Sequence, residues 1–277
     1  MKKTLLSIII LSSLVLSGCD VNKTPQVGDV DFSKLTNKQQ ADLGNVIQDY
    51  LVKNPEVLVK MSNELQKQSE ESRVNNIIGL KDQLFSSTTP HVGPDDAKVA
   101  VVEFFDYNCV FCAKIAPEFE KVVSEHKDVR FYFKETPIFA SRFPSSISAA
   151  LAGEYVFKEK GPEAYLKFHN GIYATGHNEG ALTLDDINGV LKSVGVEPLA
   201  KELTQESLEK KNEPLTSFVD KVQGNLALSK QADLRGTPYI LVMPLNNPTI
   251  ENIRIIDGYQ DYNQLTKAIQ EVKSAAK

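Results

Sequence analysis

The order of apolar segments predicts an α/β fold carrying an inserted helical domain and preceded by an N-terminal helical arm. Three observations carry this. Lys98 to Phe105 (KVAVVEFF) is strand-like, and a helical pattern and a second strand-like run, Val129 to Phe133 (VRFYF), follow it. Two more strand-like runs, Tyr239 to Met243 and Asn252 to Ile256, precede a closing helix from about Tyr262. Between these halves lies a long block of helical spacing, residues 144–212, broken at Gly161-Pro162, Gly176 and Gly195. A β-α-β order calls for a parallel pair with a crossover helix, whereas two strands joined by the short loop PLNNPT call for a hairpin.

At 277 residues, with 42% hydrophobic and 24% charged, the chain fits one to two folded domains. A net charge of −5 argues against a nucleic-acid binder, which would show a basic patch. Lys2 and Lys3 followed by the apolar run Leu5 to Leu16 read as an export leader, too short for a membrane span of about 20 residues. Leu16-Ser17-Gly18-Cys19 resembles a bacterial lipobox, so residues 1–19 are expected to be a lipoprotein signal ending at an acylated Cys19. The alternative is an ordinary secretory leader that ends near a cysteine. Asp20 resembles an inner-membrane retention signal, which leaves inner and outer membrane both open.

Residues 20–34 are polar and read as a tether. Residues 35–85 form the expected arm. Thr36 caps a first helix with Leu43, Val46, Ile47, Tyr50 and Leu51 on one face, and Asn54-Pro55 restarts the chain into a second. That helix shows Val57, Leu58, Met61 and Leu65, a charged middle, then Val74, Ile77, Ile78, Leu80 and Leu84. Residues 86–97 (SSTTPHVGPDDA) have the composition of a linker. Residues 98–277 remain as the main domain. With its helical block removed, its order is that of a thioredoxin fold.

Three cysteines occur, and if lipid consumes Cys19, Cys109 and Cys112 have only each other. Export would place them where disulfides persist. Asp106-Tyr107-Asn108 reads as a turn, so Cys109 opens a helix. Backbone N–H groups and the macrodipole favour a thiolate there, and Cys112 faces the same side three residues on. That spacing suits a reversible dithiol. A static disulfide and half of a zinc site are the alternatives. Zinc needs more ligands than one CxxC provides, and His91, His126, His169 and His177 lack ligand spacing and read as surface residues. No metal or organic cofactor is expected.

VVEFFDYNCVFC and Arg235-Gly236-Thr237-Pro238 resemble the strand-plus-CxxC signature and the cis-proline loop of the DsbA family of extracytoplasmic thiol–disulfide oxidoreductases. The helical block matches the insertion that separates this family from plain thioredoxin. LVKNPEVLV in the arm resembles a subgroup that includes the copper-sensitivity suppressor ScsC and related lipoproteins. The resemblance implies a redox-active Cys109–Cys112 disulfide, with Cys109 attacking and Cys112 resolving. It implies that Glu103 is a buried acid relaying the Cys112 proton, with Lys134 on the adjacent strand as its partner. Strand-end exposure of Glu103 and a surface Lys134 are the plain alternatives. Thr237 and a cis Pro238 would shape the client groove, where Val110 and Phe111 also fall. Phe111 stands where the family's strongest oxidants carry His, so a weaker oxidant is expected.

The arm's apolar stripe needs a surface to cover it, and a second copy of the chain would do so, giving a homodimer or homotrimer. Several facing dithiols suit a disulfide isomerase. Folding back onto its own domain, or spacing that domain from the membrane, are the other uses of the arm. The expected clients are exported proteins with cysteines, in the bacterial cell envelope facing the periplasm. The expected redox partner is a quinone-linked oxidase or a membrane thiol reductase. A simple dithiol oxidase and a lipid-anchored holdase are the competing readings.

Overall fold

The computed structural model describes residues 34–197 and 216–276. The leader, Cys19, most of the tether and residues 198–212 of the helical block lie outside the described residues. Among the described residues, no helix is long and apolar enough to cross a membrane. The chain divides into two compact units, Met1–Ser62 and Asn63–Lys277.

In the first unit, helix α1 (Asn37–Lys53) starts at a capping box: the Thr36 hydroxyl accepts from Gln39 N–H, and the Gln39 side chain reaches back to Thr36 N–H. No residue of α1 is buried, and Val46, Ile47, Tyr50 and Val52 are all exposed. Helix α2 (Glu56–Gly79) begins in this unit with Leu58, Val59 and Met61 exposed.

The second unit is built on a five-stranded sheet. Its strands are β1 (His91–Val92), β2 (Val99–Phe105), β3 (Val129–Glu135), β4 (Tyr239–Pro244) and β5 (Arg254–Asp257), in the order β1-β3-β2-β4-β5. A short helix α3 (Lys81–Leu84) precedes β1; β2 and β3 run parallel, joined by helix α4 (Val110–Glu125), and the other pairs are antiparallel. The expected order of elements is therefore present, with the closing helix at Tyr262–Ala275.

Strand periodicity divides β2 between two cores. Val99, Val101 and Phe105 join Ile115 and Phe119 of α4, Ile269 of the last helix, and the insertion helices α5 (Ser145–Lys160), α6 (Pro162–Ala174) and α7 (Leu184–Ser193). Ala100, Val102 and Phe104 join the other core, with Tyr239, Leu241 and Met243 of β4 and Leu228 of helix α8 (Thr216–Gln231).

Here the structure corrects the expected boundaries. Val74, Ile77, Leu80 and Leu84 belong to this second core rather than to a separate arm. A row of apolar residues at helical spacing covers whichever apolar surface lies nearest, and here that surface is the open face of the sheet. Complete burial of Ile77 and of Leu84 is worth about 1.5–3 kcal/mol each. Arg73 fixes the helix further: its guanidinium donates to the Tyr239 hydroxyl at 2.7 Å and to Asp257 at 3.0 Å. The expected linker 86–97 is likewise part of the fold. It supplies β1, which pairs antiparallel with β3, and Phe133 N–H donates to Pro90 O at 2.8 Å.

Candidate active site

Asp106, Tyr107 and Asn108 turn the chain from β2 into α4, and all three are buried. The Asp106 carboxylate accepts from Asn108 N–H and Phe139 N–H, both at 2.8 Å. Asn108 ties the turn to the insertion: its Nδ2 donates to the Ser145 and Ser146 hydroxyls at 3.0 Å, and its Oδ1 accepts from Gly180 N–H at 2.9 Å. A short turn anchored from two sides holds the next residue, Cys109, at the N-cap of α4.

Cys109 and Cys112 are free thiols, both buried, and they differ in what surrounds each sulfur. Cys109 Sγ donates to the Thr237 carbonyl at 3.2 Å. Its pKa is lowered to about 6, chiefly by a hydrogen bond from the Cys112 thiol, with help from the Thr237 side chain and from the backbone N–H groups of Cys112 and Phe111, against the cost of burial. Cys112 is fully buried, and desolvation pushes its thiol well above the ordinary value. Val110 and Phe111 between them are 41% and 55% exposed. The Thr237–Pro238 peptide is cis and leads into β4 beside the sulfurs.

Glu103 lies in mid-strand, on the sheet face that packs against Cys112, and is 1% exposed. Burial raises its pKa to about 8, so it is a neutral acid at pH 7. Its Oε2 has no hydrogen-bond partner among the described residues, and when ionised it raises the pKa of the Cys112 thiol.

Lys134 is not the partner of Glu103. The parallel register sets Glu103 opposite Phe133 and Phe104 opposite Lys134, so the two charged side chains leave opposite faces of the sheet. Lys134 is buried on the far side, where its ammonium donates to Gln83 O and Thr89 Oγ1, both at 2.7 Å. It holds the connection that precedes β1 and lies away from the thiols.

His169, expected at the surface, is fully buried in α6 with its Nε2 3.9 Å from Glu103 Oε2. Tyr165 and Tyr173 stand four residues to either side of it, an aromatic face at helical spacing that was the available sign of burial. Asp106 and Asn108 gave no sign beyond that of turn formers. Among the described residues, no group of three or more His, Cys, Asp or Glu is placed to hold a metal.

The thioredoxin family profile matches residues 86–271, and the profile of the N-terminal domain of the copper resistance protein ScsC matches residues 39–71. Disulfide bond formation protein D of Bacillus subtilis (strain 168) is 28% identical over 187 residues, covering 65% of this chain and 75% of that protein. The crystal structure of BcfH from Salmonella enterica Typhimurium is 36% identical, with 85% of this chain and 96% of that one covered and a TM-score of 0.66. Proteus mirabilis ScsC in a transitional conformation is 28% identical, with 88% and 99% covered and a TM-score of 0.55. A central mixed sheet, a dithiol at a helix start, a cis-proline beside it and these matches agree: the chain belongs to the thioredoxin family, as a DsbA-type thiol–disulfide oxidoreductase close to the ScsC proteins.

Proposed function

We propose that this chain exchanges disulfides in exported proteins outside the cytoplasm, with Cys109 attacking and Cys112 resolving. The observation that carries the reading is the asymmetry of the two thiols. Cys109 has a pKa lowered to about 6 at a helix start, and Cys112 is buried with its thiol pushed up. A nucleophile must be a thiolate at working pH, and a resolving thiol must stay protected until it is needed.

In oxidation of a client, a client thiolate attacks Cys109 of the Cys109–Cys112 disulfide. The S–S bond breaks, its electron pair leaves on Cys112, and the neutral Glu103 supplies a proton to that sulfur. A second client thiolate attacks the client sulfur of the mixed disulfide, and Cys109 leaves as a thiolate. In isomerisation, the Cys109 thiolate opens a wrong client disulfide, and the released client thiolate attacks elsewhere in the client. Thr237 and Pro238 line the groove beside the sulfurs, and exposed Val110 and Phe111 meet the client.

The first unit makes the protein oligomeric and adds isomerisation to oxidation. Val46, Ile47, Tyr50, Leu58 and Met61 stay exposed there, and the match of residues 39–71 to the ScsC N-terminal domain supports this use. Acylation at Cys19 would tether the oligomer to the envelope membrane, and a membrane quinone-linked oxidase or thiol reductase would reset the dithiol. A simple oxidase is the second reading, favoured by the Bacillus subtilis relative, whose similarity covers 65% of this chain.

The test compares a chain beginning at Val21 with one beginning at Asn63, each with its mass in solution measured, in reactivating a scrambled-disulfide client. A start at Ser86 would strip Ile77 and Leu84 from the core and confound the comparison. Isomerisation by an oligomeric longer chain but not by a monomeric shorter one supports the reading. Equal oxidation and no isomerisation by both make the protein an oxidase.

A further inference from the structure

The topology sets one loop on each side of the dithiol. β3 runs parallel to β2 and β4 antiparallel to it, so Phe105 pairs with Glu135 at the end of β3 and Phe104 with Tyr239 at the start of β4. Both lie at the end of β2 that leads to Cys109. The cis-proline loop enters β4 on one side, and residues 136–143 leave β3 on the other.

Asp106 joins that second loop to the thiols. Its main-chain oxygen accepts from Cys109 N–H at 3.0 Å, and its carboxylate accepts from Phe139 N–H at 2.8 Å. Thr136 N–H donates to Phe105 O at 3.0 Å and Phe143 N–H to Phe139 O at 2.7 Å, so the loop is held at both ends. Pro137 is buried and Phe139 packs on the core, yet Ile138 between them is 40% exposed. Exposed Val110 and Phe111 directly follow Cys109. A single exposed apolar residue is ordinary, but three at one reactive turn make a surface for an apolar partner.

The other side differs. Arg235 and Gly236 are exposed there, and Gly258 N–H donates to Pro238 O at 2.9 Å, which brings Tyr259 to the cis-proline loop. The ammonium of exposed Lys114 lies over the Tyr259 ring at 4.3 Å. A client chain crossing Cys109 therefore meets apolar side chains on one side, and backbone and cations on the other.

We propose that Ile138 is a specificity-determining residue, selecting client segments with a large apolar residue on one side of the reacting cysteine. The inference rests on the exchange reading above and names its client. Continuity with the dithiol supplies the occupant: a client bonded through sulfur to Cys109 must lay its neighbouring residues over this rim. An apolar neighbour removes water from Ile138 and Phe111, and a polar one does not. Ile138 acts on binding and does not touch the sulfurs, so its effect belongs in the half-saturating concentration rather than in the maximal rate.

The test loads Cys109 of the full mature Cys112→Ser chain with a coloured aromatic thiol. Its displacement by single-cysteine peptides is followed by stopped flow at rising peptide concentration. One peptide has Ser on both flanks, one has Leu only before the cysteine, and one has Leu only after it. One Leu peptide should half-saturate at about tenfold lower concentration than the Ser peptide, and the other should match the Ser peptide. Ile138→Ser should remove most of that preference and Ile138→Leu should keep it. The proposal is overturned if the three peptides behave alike, if both Leu peptides gain equally, or if the preference survives Ile138→Ser. A loss in Ile138→Leu as complete as in Ile138→Ser also overturns it. Oxidation of a reduced client by the unaltered chain reports the exchange reading separately: if it fails, that reading falls, and if it succeeds while the peptides behave alike, only the role of Ile138 falls.

Discussion

Glu103 and Lys134 sit on adjacent parallel strands one register step apart, and their side chains leave opposite faces of the sheet. One step changes the face because strand side chains alternate with period two. The acid is thus left with the thiols, and the ammonium is spent on Gln83 and Thr89. Lys134→Met should accordingly leave Cys109 alkylation and mixed-disulfide resolution at native rates. A fall in resolution to the level of Glu103→Gln would mean that Lys134 serves the site after all.

The raised pKa of Glu103 makes stability depend on pH. The folded carboxyl titrates at about 8 and the unfolded one near 4.5. Between those values the folded state holds the extra proton, so this group's effect is to lower stability as pH rises from about 4.5 through 8. Below that window both states are protonated and the effect vanishes. Glu103→Gln should therefore outlast the native protein in urea at pH 7 by on the order of 3 kcal/mol more than it does at pH 4. An equal difference at the two pH values would show that the carboxyl is not held neutral.

Much of this site is legible in the sequence. VVEFFDYNCVFC has a run of apolar residues that must be a buried strand, then turn formers, then a dithiol at helix spacing, and each signal is local. The pairing of Glu103 was not legible, because strand register is set by partners far along the chain. Val74, Ile77 and Leu84 read correctly as an apolar helical face. Their spacing does not say whether that face meets another copy of the chain or the molecule's own sheet. His169 was misread as a surface residue because a single histidine has no period of its own, although Tyr165 and Tyr173 on the same face carried the sign.

The apolar residue before the second cysteine is expected to limit oxidising power. Phe111 is 55% exposed and offers the Cys109 thiolate only its backbone N–H. Phe111→His adds a cationic ring beside that sulfur and should lower its pKa and raise the reduction potential. Each tenfold gain in thiolate stabilisation corresponds to about 30 mV. Equilibration with glutathione buffers measures the potential, and an unchanged value would show that this position does not control it.

The central claim is that Cys109 attacks and Cys112 resolves, and trapping of the mixed disulfide tests it most directly. The full mature chain carrying Cys112→Ser, and separately Cys109→Ser, is mixed with a client containing one disulfide and analysed under non-reducing conditions. A client-linked species is expected at Cys109 in the first variant and none in the second, because desolvation keeps the Cys112 thiol protonated while Cys109 is held as a thiolate. Client trapped on Cys112 in the Cys109→Ser protein, with none on Cys109 in the Cys112→Ser protein, would contradict it.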